Sequence, residues 1–452
     1  MATIANLVSK RLHYVPGRLA VTELFFDVPV DHSRPDGASL RLFGRSVRRR
    51  EYPSVDPEKE DKPTPYLVYL QGGPGSGCSP PQELSWVGTM LDKGYQVLLL
   101  DQRGTGQSSP ITAATLNLQG NAIKQAEYLR MFRADSIVRD CEAVRYCLTA
   151  AYPTDKKEWS ILGQSFGGFC AVTYLSKFPE GLREVFITGG LPPLVKGPDP
   201  IYMRTYEKVL ERNEAFYNKF PEDGPKVNRI VKNLREREVR LPGGGVLTPA
   251  RFQQLGLGFG MKGGIDYVHE LILRADTDLE IFGFLTTPTL ARLGSATTMD
   301  NTILYAVLHE SIYCQGQASN WSADRLISKF DHFHNEGNES GQFFFTGEMI
   351  YRHMFTSSPE LIQVKEAADI VATYDDWPDL YDEEQLAKNE VPVYAATFID
   401  DMYVHYQLAT ETAQKIKGCK QFITNTMYHN AIRADSEAVM KQLFALRDDT
   451  ID

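Results

Sequence analysis

The 452-residue chain is 42% hydrophobic and 23% charged, an ordinary globular balance that suits two or three domain-sized units around a large core. Its net charge of −10 and pI of about 5.5 argue against a nucleic-acid surface. No apolar run reaches the roughly 18 residues of a membrane span, and the first residues lack a basic leader followed by a long apolar region. Six cysteines without C-x-x-C spacing read as free thiols in a reducing compartment, so neither a zinc site nor a disulfide frame is expected. The expectation is a soluble cytoplasmic protein with no membrane or nucleic-acid partner.

In chain order, 21–31 and 39–47 alternate as half-exposed strands do, with a turn at Pro35-Asp36-Gly37. Residues 50–64, charged and proline-containing, read as a solvated loop. Tyr66-Leu67-Val68-Tyr69-Leu70 and Tyr95-Gln96-Val97-Leu98-Leu99-Leu100 are short apolar runs of the kind buried on both faces of a sheet. The first ends in Gln71-Gly72-Gly73-Pro74-Gly75, the second in Asp101-Gln102-Arg103-Gly104. A helical period spans 134–152. Trp159 to Leu162 then reads as a strand leading into Gly163-Gln164-Ser165-Phe166-Gly167-Gly168, with helical spacing from Phe169 to Phe178 and another buried strand at 185–190. Alternating buried strands and helices predict a mostly parallel sheet flanked by helices. From 195 to 385 buried strands disappear and aromatic-rich helices are expected at 201–220, 225–238, 301–315, 322–330 and 359–370. A strand at 391–398, a helix at 406–417, a strand at 421–424 and a helix at 435–447 complete the sheet unit. The boundaries read as 1–194 and 386–452 for the sheet domain and 195–385 for a helical cap inserted before the strand that leads to Asp400-Asp401.

Strand, tight turn and helix around Gly163-x-Ser165-x-Gly167 is the context of a nucleophile elbow. Functional residues of such sheets sit at the carboxyl ends of strands. There the chain carries Ser165, then Asp400-Asp401, then His429, in the order of an α/β-hydrolase triad. A serine hydroxyl needs an imidazole to take its proton, and a carboxylate must fix the imidazole tautomer and stabilise its cation. Spacing alone does not separate Asp400 from Asp401. His405, the competing histidine, reads as a cap of the following helix. The Gly72-Gly73-Pro74-Gly75 turn could supply a backbone N–H from Gly73 to join that of Phe166 as an oxyanion hole, each donor worth roughly 3 kcal/mol at the transition state. The glycine run lacks the Lys-Ser/Thr of a phosphate loop.

Gly72-Gly73-Pro74-Gly75, Asp101-Gln102-Arg103-Gly104-x-Gly106-x-Ser108 and Gly163-x-Ser165-x-Gly167-Gly168 together resemble the proline iminopeptidases, serine exopeptidases of α/β-hydrolase fold. Gln71 stands where that family usually has histidine. The resemblance implies a large-cap member that releases N-terminal proline from peptides through a prolyl-enzyme intermediate, without metal or organic cofactor. It selects Asp401, which precedes Met402, as the triad acid. It also implies amine-binding glutamates in the cap, in Leu308-His309-Glu310-Ser311-Ile312-Tyr313 and Thr346-Gly347-Glu348-Met349-Ile350-Tyr351. A secondary ammonium entering a partly dry cleft requires paired carboxylates, and Glu310 interrupts an apolar helix, so it faces either a site or solvent. Tyr313 and Tyr351, with Phe343, Phe344 and Phe345, are candidates for the proline pocket, although such aromatics are more often core. Cys314 should share the helix face of Glu310, which predicts inhibition by bulky thiol reagents. The competing reading is an esterase or amidase that uses the same triad on small acyl substrates.

Overall fold

A computed structural model describes residues 3–50, 63–334 and 341–449. Most of the 50–64 stretch read as a solvated loop lies outside the described residues. Nine strands form one sheet: β1 (Asn6–Val15), β2 (Leu19–Pro29), β3 (Ser39–Arg49), β4 (Tyr66–Leu70), β5 (Gln96–Leu100), β6 (Trp159–Gln164), β7 (Leu182–Thr188), β8 (Val393–Phe398) and β9 (Cys419–Thr424). Their order is β1-β2-β3-β5-β4-β6-β7-β8-β9. The first three form an antiparallel meander joined to β5, and β5 to β9 in spatial order are parallel.

The unbroken apolar runs follow from burial on both faces. On β4, Tyr66, Val68 and Leu70 pack into one core, while Leu67 and Tyr69 pack into the other. The first core continues through Cys141 and Val144 of the helix Ala134–Leu148 and Phe169 of the helix Phe166–Lys177. The second holds Trp86 and Met90 of the helix Ser85–Asp92 and Val439 and Leu443 of the helix Ser436–Asp448. Each fully buried Val or Leu side chain contributes about 1.5–3 kcal/mol. The strand order reverses at β4, which opens a crevice at the carboxyl ends of β4 and β6.

Ser165 sits in that crevice with φ 53° and ψ −124°, a conformation that L-residues adopt only when the surroundings impose it. A Cβ on Gly163 would lie 2.5 Å from Gly167 O, and one on Gly167 would lie 1.8 Å from Leu70 O. The elbow therefore closes only with glycine at both positions. Gly167→Ala is expected to cost about 3 kcal/mol or more of stability, because backbone on both sides must move. An unchanged urea midpoint would contradict this.

The Asp-Gln-Arg-Gly segment after β5 is a structural clasp. Asp101 accepts the N–H groups of Cys78 (2.7 Å) and Gln107 (2.9 Å). The wholly buried Arg103 grips Asp140 with two bonds of 2.7 and 2.6 Å and donates to the carbonyls of Pro29, Val30 and Met131.

Between β7 and β8 the described chain forms helices and loops, apart from one bridge between Arg240 and Val246. Of the helices here with no counterpart in the sequence reading, the two longest are Gly264–Phe282 and Thr287–Thr297. The helix expected over 301–315 is instead Ile303–Leu308 followed by a 3-10 turn, Ser311–Tyr313. Leu304 and Tyr305 abut the strand-end loops: a Cβ on Gly75 would lie 3.0 Å from Tyr305 N, and one on Gly104 would lie 2.5 Å from a Leu304 methyl. No helix among the described residues is long and apolar enough to cross a membrane.

Candidate active site

Three strand ends bring Ser165, Asp401 and His429 into one hydrogen-bonded chain. His429 Nε2 lies 2.9 Å from Ser165 Oγ, and its Nδ1 lies 2.7 Å from Asp401 Oδ2. Asp401 is completely buried, and its Oδ1 accepts the N–H groups of Tyr403 (2.8 Å) and Val404 (2.9 Å). Because an ionised carboxylate only accepts, Nδ1 carries the proton and Nε2 is left to take one from the serine. The half-exposed Asp400 does not make this bond. Burial pulls the His429 pKa down, but the charge and hydrogen bond of Asp401, with the charge of Glu348, outweigh it and leave the imidazole above its usual value. His405 occupies the N-cap position of the helix Tyr406–Lys415, yet its side chain makes no capping bond, so the capping role read from sequence does not hold.

The loop after β4 lies flat on the elbow: a Cβ on Gly72 would fall 2.9 Å from Ser165 Cβ. Gly73 follows at once, with φ 135°. Phe166 is the first residue of its helix, so its N–H has no acceptor within the helix. Gln71 is built into the loop's support, its side chain accepting from Tyr69 OH (3.0 Å) and its carbonyl from Gln102 Nε2 (3.0 Å).

Above the triad the cap presents Glu348. Tyr305 donates to its Oε1 at 2.6 Å, and His309 Nε2 lies 3.4 Å from its Oε2. The Tyr202 hydroxyl contacts His309 Nδ1 at 3.2 Å. Burial would raise the Glu348 pKa, but His309, His429 and the Tyr305 hydroxyl hold it below the usual value. Glu348 is thus an ionised and partly exposed carboxylate within electrostatic reach of His429. Tyr202, Tyr305 and His309 were not assigned roles from the sequence, although Tyr305 and His309 are four apart and share a helix face.

Glu310 is placed differently from expectation. The helix ends at Leu308, and both Glu310 oxygens accept backbone N–H groups, from Ser322 (2.9 Å) and Ala323 (2.9 Å), at the start of the helix Ser322–Leu326. Burial raises its pKa to about 7 against these bonds. Its carboxylate ties the turn after Leu308 to the start of that helix, while its charge, like that of Glu348, bears on the Tyr202 hydroxyl. Tyr313 packs its ring 5.7 Å from Phe169 of the elbow helix, whereas Tyr351 turns inward, its hydroxyl 3.0 Å from that of Tyr206 and its ring stacked on His353. Phe343 and Phe345 belong to a cluster with Phe252, and Phe344 lies edge-on to Phe333. Phe343 and Phe345 are core, and the half-buried Phe344 packs against it.

Cys314 does not share a helix with Glu310. It is fully buried, Arg133 donates to its carbonyl at 2.6 Å, and burial pushes its thiol up to about 12. A bulky reagent has neither access nor a thiolate to attack, which overturns the expected inhibition through this residue. Among the described residues, Glu222, Asp223 and His269 are close enough to share a metal ion, but Lys226 already pairs with Asp223 at 3.0 Å.

Residues 65–233 match the family model of the alpha/beta hydrolase fold. Over 448 residues the chain is 48% identical to a proline iminopeptidase of Aspergillus aculeatus, covering 99% of this chain and 98% of that one. It is 41% identical to the proline iminopeptidase of Aeromonas sobria, over 98% of this chain and 100% of the other. The chain belongs to the proline iminopeptidase family. The family resemblance read from the three glycine-containing motifs is therefore borne out over nearly the whole length, as is the α/β-hydrolase fold. A solved proline iminopeptidase of Mycobacterium smegmatis is 12% identical with a TM-score of 0.43, over 93% of this chain and 97% of that one.

Proposed function

We propose that this protein is a serine aminopeptidase that releases N-terminal proline from peptides. Ser165 attacks the prolyl carbonyl, His429 takes the serine proton and delivers it to the leaving amine, and Asp401 holds His429 in the required tautomer. The N–H groups of Gly73 and Phe166 stabilise the oxyanion, and water then hydrolyses the prolyl ester on Ser165. Glu348, held by Tyr305 and His309, captures the secondary ammonium of the proline, with Tyr313 along the wall of the pocket. Residues 195–385 act as the cap that carries this carboxylate and closes the cleft beyond the imino group. The chemistry uses no metal or organic cofactor. Six free cysteines support a reducing, cytoplasmic setting.

The observation that carries the reading is the ionised Glu348 facing a hydrogen-bonded Ser165–His429–Asp401 chain. An esterase for small neutral acyl groups gains nothing from a charge there. The test compares a prolyl arylamide, its N-acetylated form and a short acyl ester. Cleavage of the free-amine prolyl amide alone is the expected result; cleavage of the ester alone would support the esterase instead.

The pH profile follows from His429. Only the neutral imidazole accepts the serine proton, and its pKa is raised, so the acid limb of kcat/KM should have its midpoint above the 6.5 of an ordinary histidine. Glu348→Gln removes one of the charges that raise it, so the limb should move to lower pH. An unmoved limb would contradict the coupling.

A further inference from the structure

Arg212 lies half-buried on the helix Asp199–Lys219, against Tyr428, the residue before His429. Its Nε donates to Phe259 O at 3.1 Å, and its guanidinium carbon sits 5.2 Å from the centroid of the Tyr428 ring. The next residues along both contacts meet at the site: the His429 N–H points to Gly260 O at 3.4 Å, and Tyr403, whose ring is 4.5 Å from that of His429, senses the Arg212 charge. Among the described residues no carboxylate pairs with Arg212. Of the neighbouring cations, Lys208 pairs with Glu211 and Lys262 with Asp435, while Arg433, which also bears on His429, is hydrogen-bonded to Tyr69. One edge of a planar fork is thus anchored and stacked, and both Nη groups remain for a bidentate acceptor.

The direction of the reaction says what that acceptor is. His429 must hand its proton to the leaving amine, so the residue after proline departs on the His429 side, while the imino group points to Glu348. An extended chain advances about 3.5 Å per residue, so a cation seated against Tyr428, the chain neighbour of His429, meets the C-terminus of a peptide only when that peptide is short. We propose, resting on the aminopeptidase reading above, that Arg212 is a subsite for the free C-terminal carboxylate of Pro-X dipeptides and tripeptides. A short peptide acid is then favoured over the corresponding amide or a longer chain.

The test measures kcat/KM for Pro-Gly, Pro-Gly-amide and a prolyl arylamide with the unaltered enzyme, Arg212→Gln and Arg212→Lys. A charge-assisted bidentate contact corresponds to roughly 10- to 100-fold. Pro-Gly should lose that factor in Arg212→Gln, mainly through KM, while the two substrates without a carboxylate are unchanged. Arg212→Lys should recover part of it, and added salt should weaken only Pro-Gly. An equal loss on all three substrates would assign Arg212 to structure, and no loss on Pro-Gly would remove the subsite; either overturns the proposal. Failure of the unaltered enzyme to cleave the arylamide would overturn the aminopeptidase reading and this proposal with it.

Discussion

Ser165→Ala is expected to lower kcat for a prolyl arylamide about 10⁴- to 10⁶-fold, with KM nearly unchanged. The size follows from the geometry: His429 Nε2 has the serine oxygen 2.9 Å away as its proton source, and no other hydroxyl is in the chain it forms with Asp401. Removing the side chain leaves the proposed oxyanion donors and amine site intact, so residual turnover and binding should reflect those alone. Alanine also relieves little strain, because the positive φ of 53° is imposed by the close approach of Gly163 and Gly167 backbone, not by the side chain. Folding should therefore persist, and the loss should be catalytic. Circular dichroism and binding of a non-cleavable prolyl amide would check this. A variant that retains a tenth of the activity would exclude Ser165 as the nucleophile.

The second large effect is at Glu348. Replacement by glutamine keeps the shape and the hydrogen bond from Tyr305 but removes the charge. For a free-amine prolyl substrate kcat/KM should fall about 10²- to 10³-fold, the consequence of leaving an ammonium without its partner in a partly dry cleft. An acyl ester without an amine should lose nothing. The same drop on both substrates would mean that Glu348 acts through His429 or through the fold. Glu310→Gln offers the contrast. Its oxygens are tied to Ser322 and Ala323 N–H groups, so its loss should appear chiefly in stability.

The parts of this site that were legible in the sequence are those fixed by local geometry. Ser165 and Asp401 follow β6 and β8, strands whose burial on both faces leaves a recognisable run, whereas His429 follows the half-exposed edge strand β9; the parallel sheet aligns all three strand ends on one edge. The antiparallel β1 left no such trace. All of its residues are exposed or half-exposed, so neither an apolar run nor a period-two alternation marks it. The helix Gly264–Phe282 did carry a signal, since Val268, Leu271, Ile272 and Ala275 are buried at helical spacing between two left-handed glycines. The proposed amine site was only half legible. Glu310 and Glu348 look alike in sequence, and what separates them is tertiary: the chain leaves its helix at Leu308 and delivers Glu310 to the N-terminus of another. Tyr351 likewise turns into the cap because Tyr206 is there to receive it.

The most direct measurement is to quench the enzyme in acid during turnover of a prolyl ester or amide and identify the modified peptide by mass spectrometry. One prolyl residue on Ser165 is expected, absent in Ser165→Ala and absent when the substrate imino group is acetylated. A prolyl adduct on another residue, or steady turnover of a prolyl ester with no adduct under conditions where deacylation limits the rate, would contradict this.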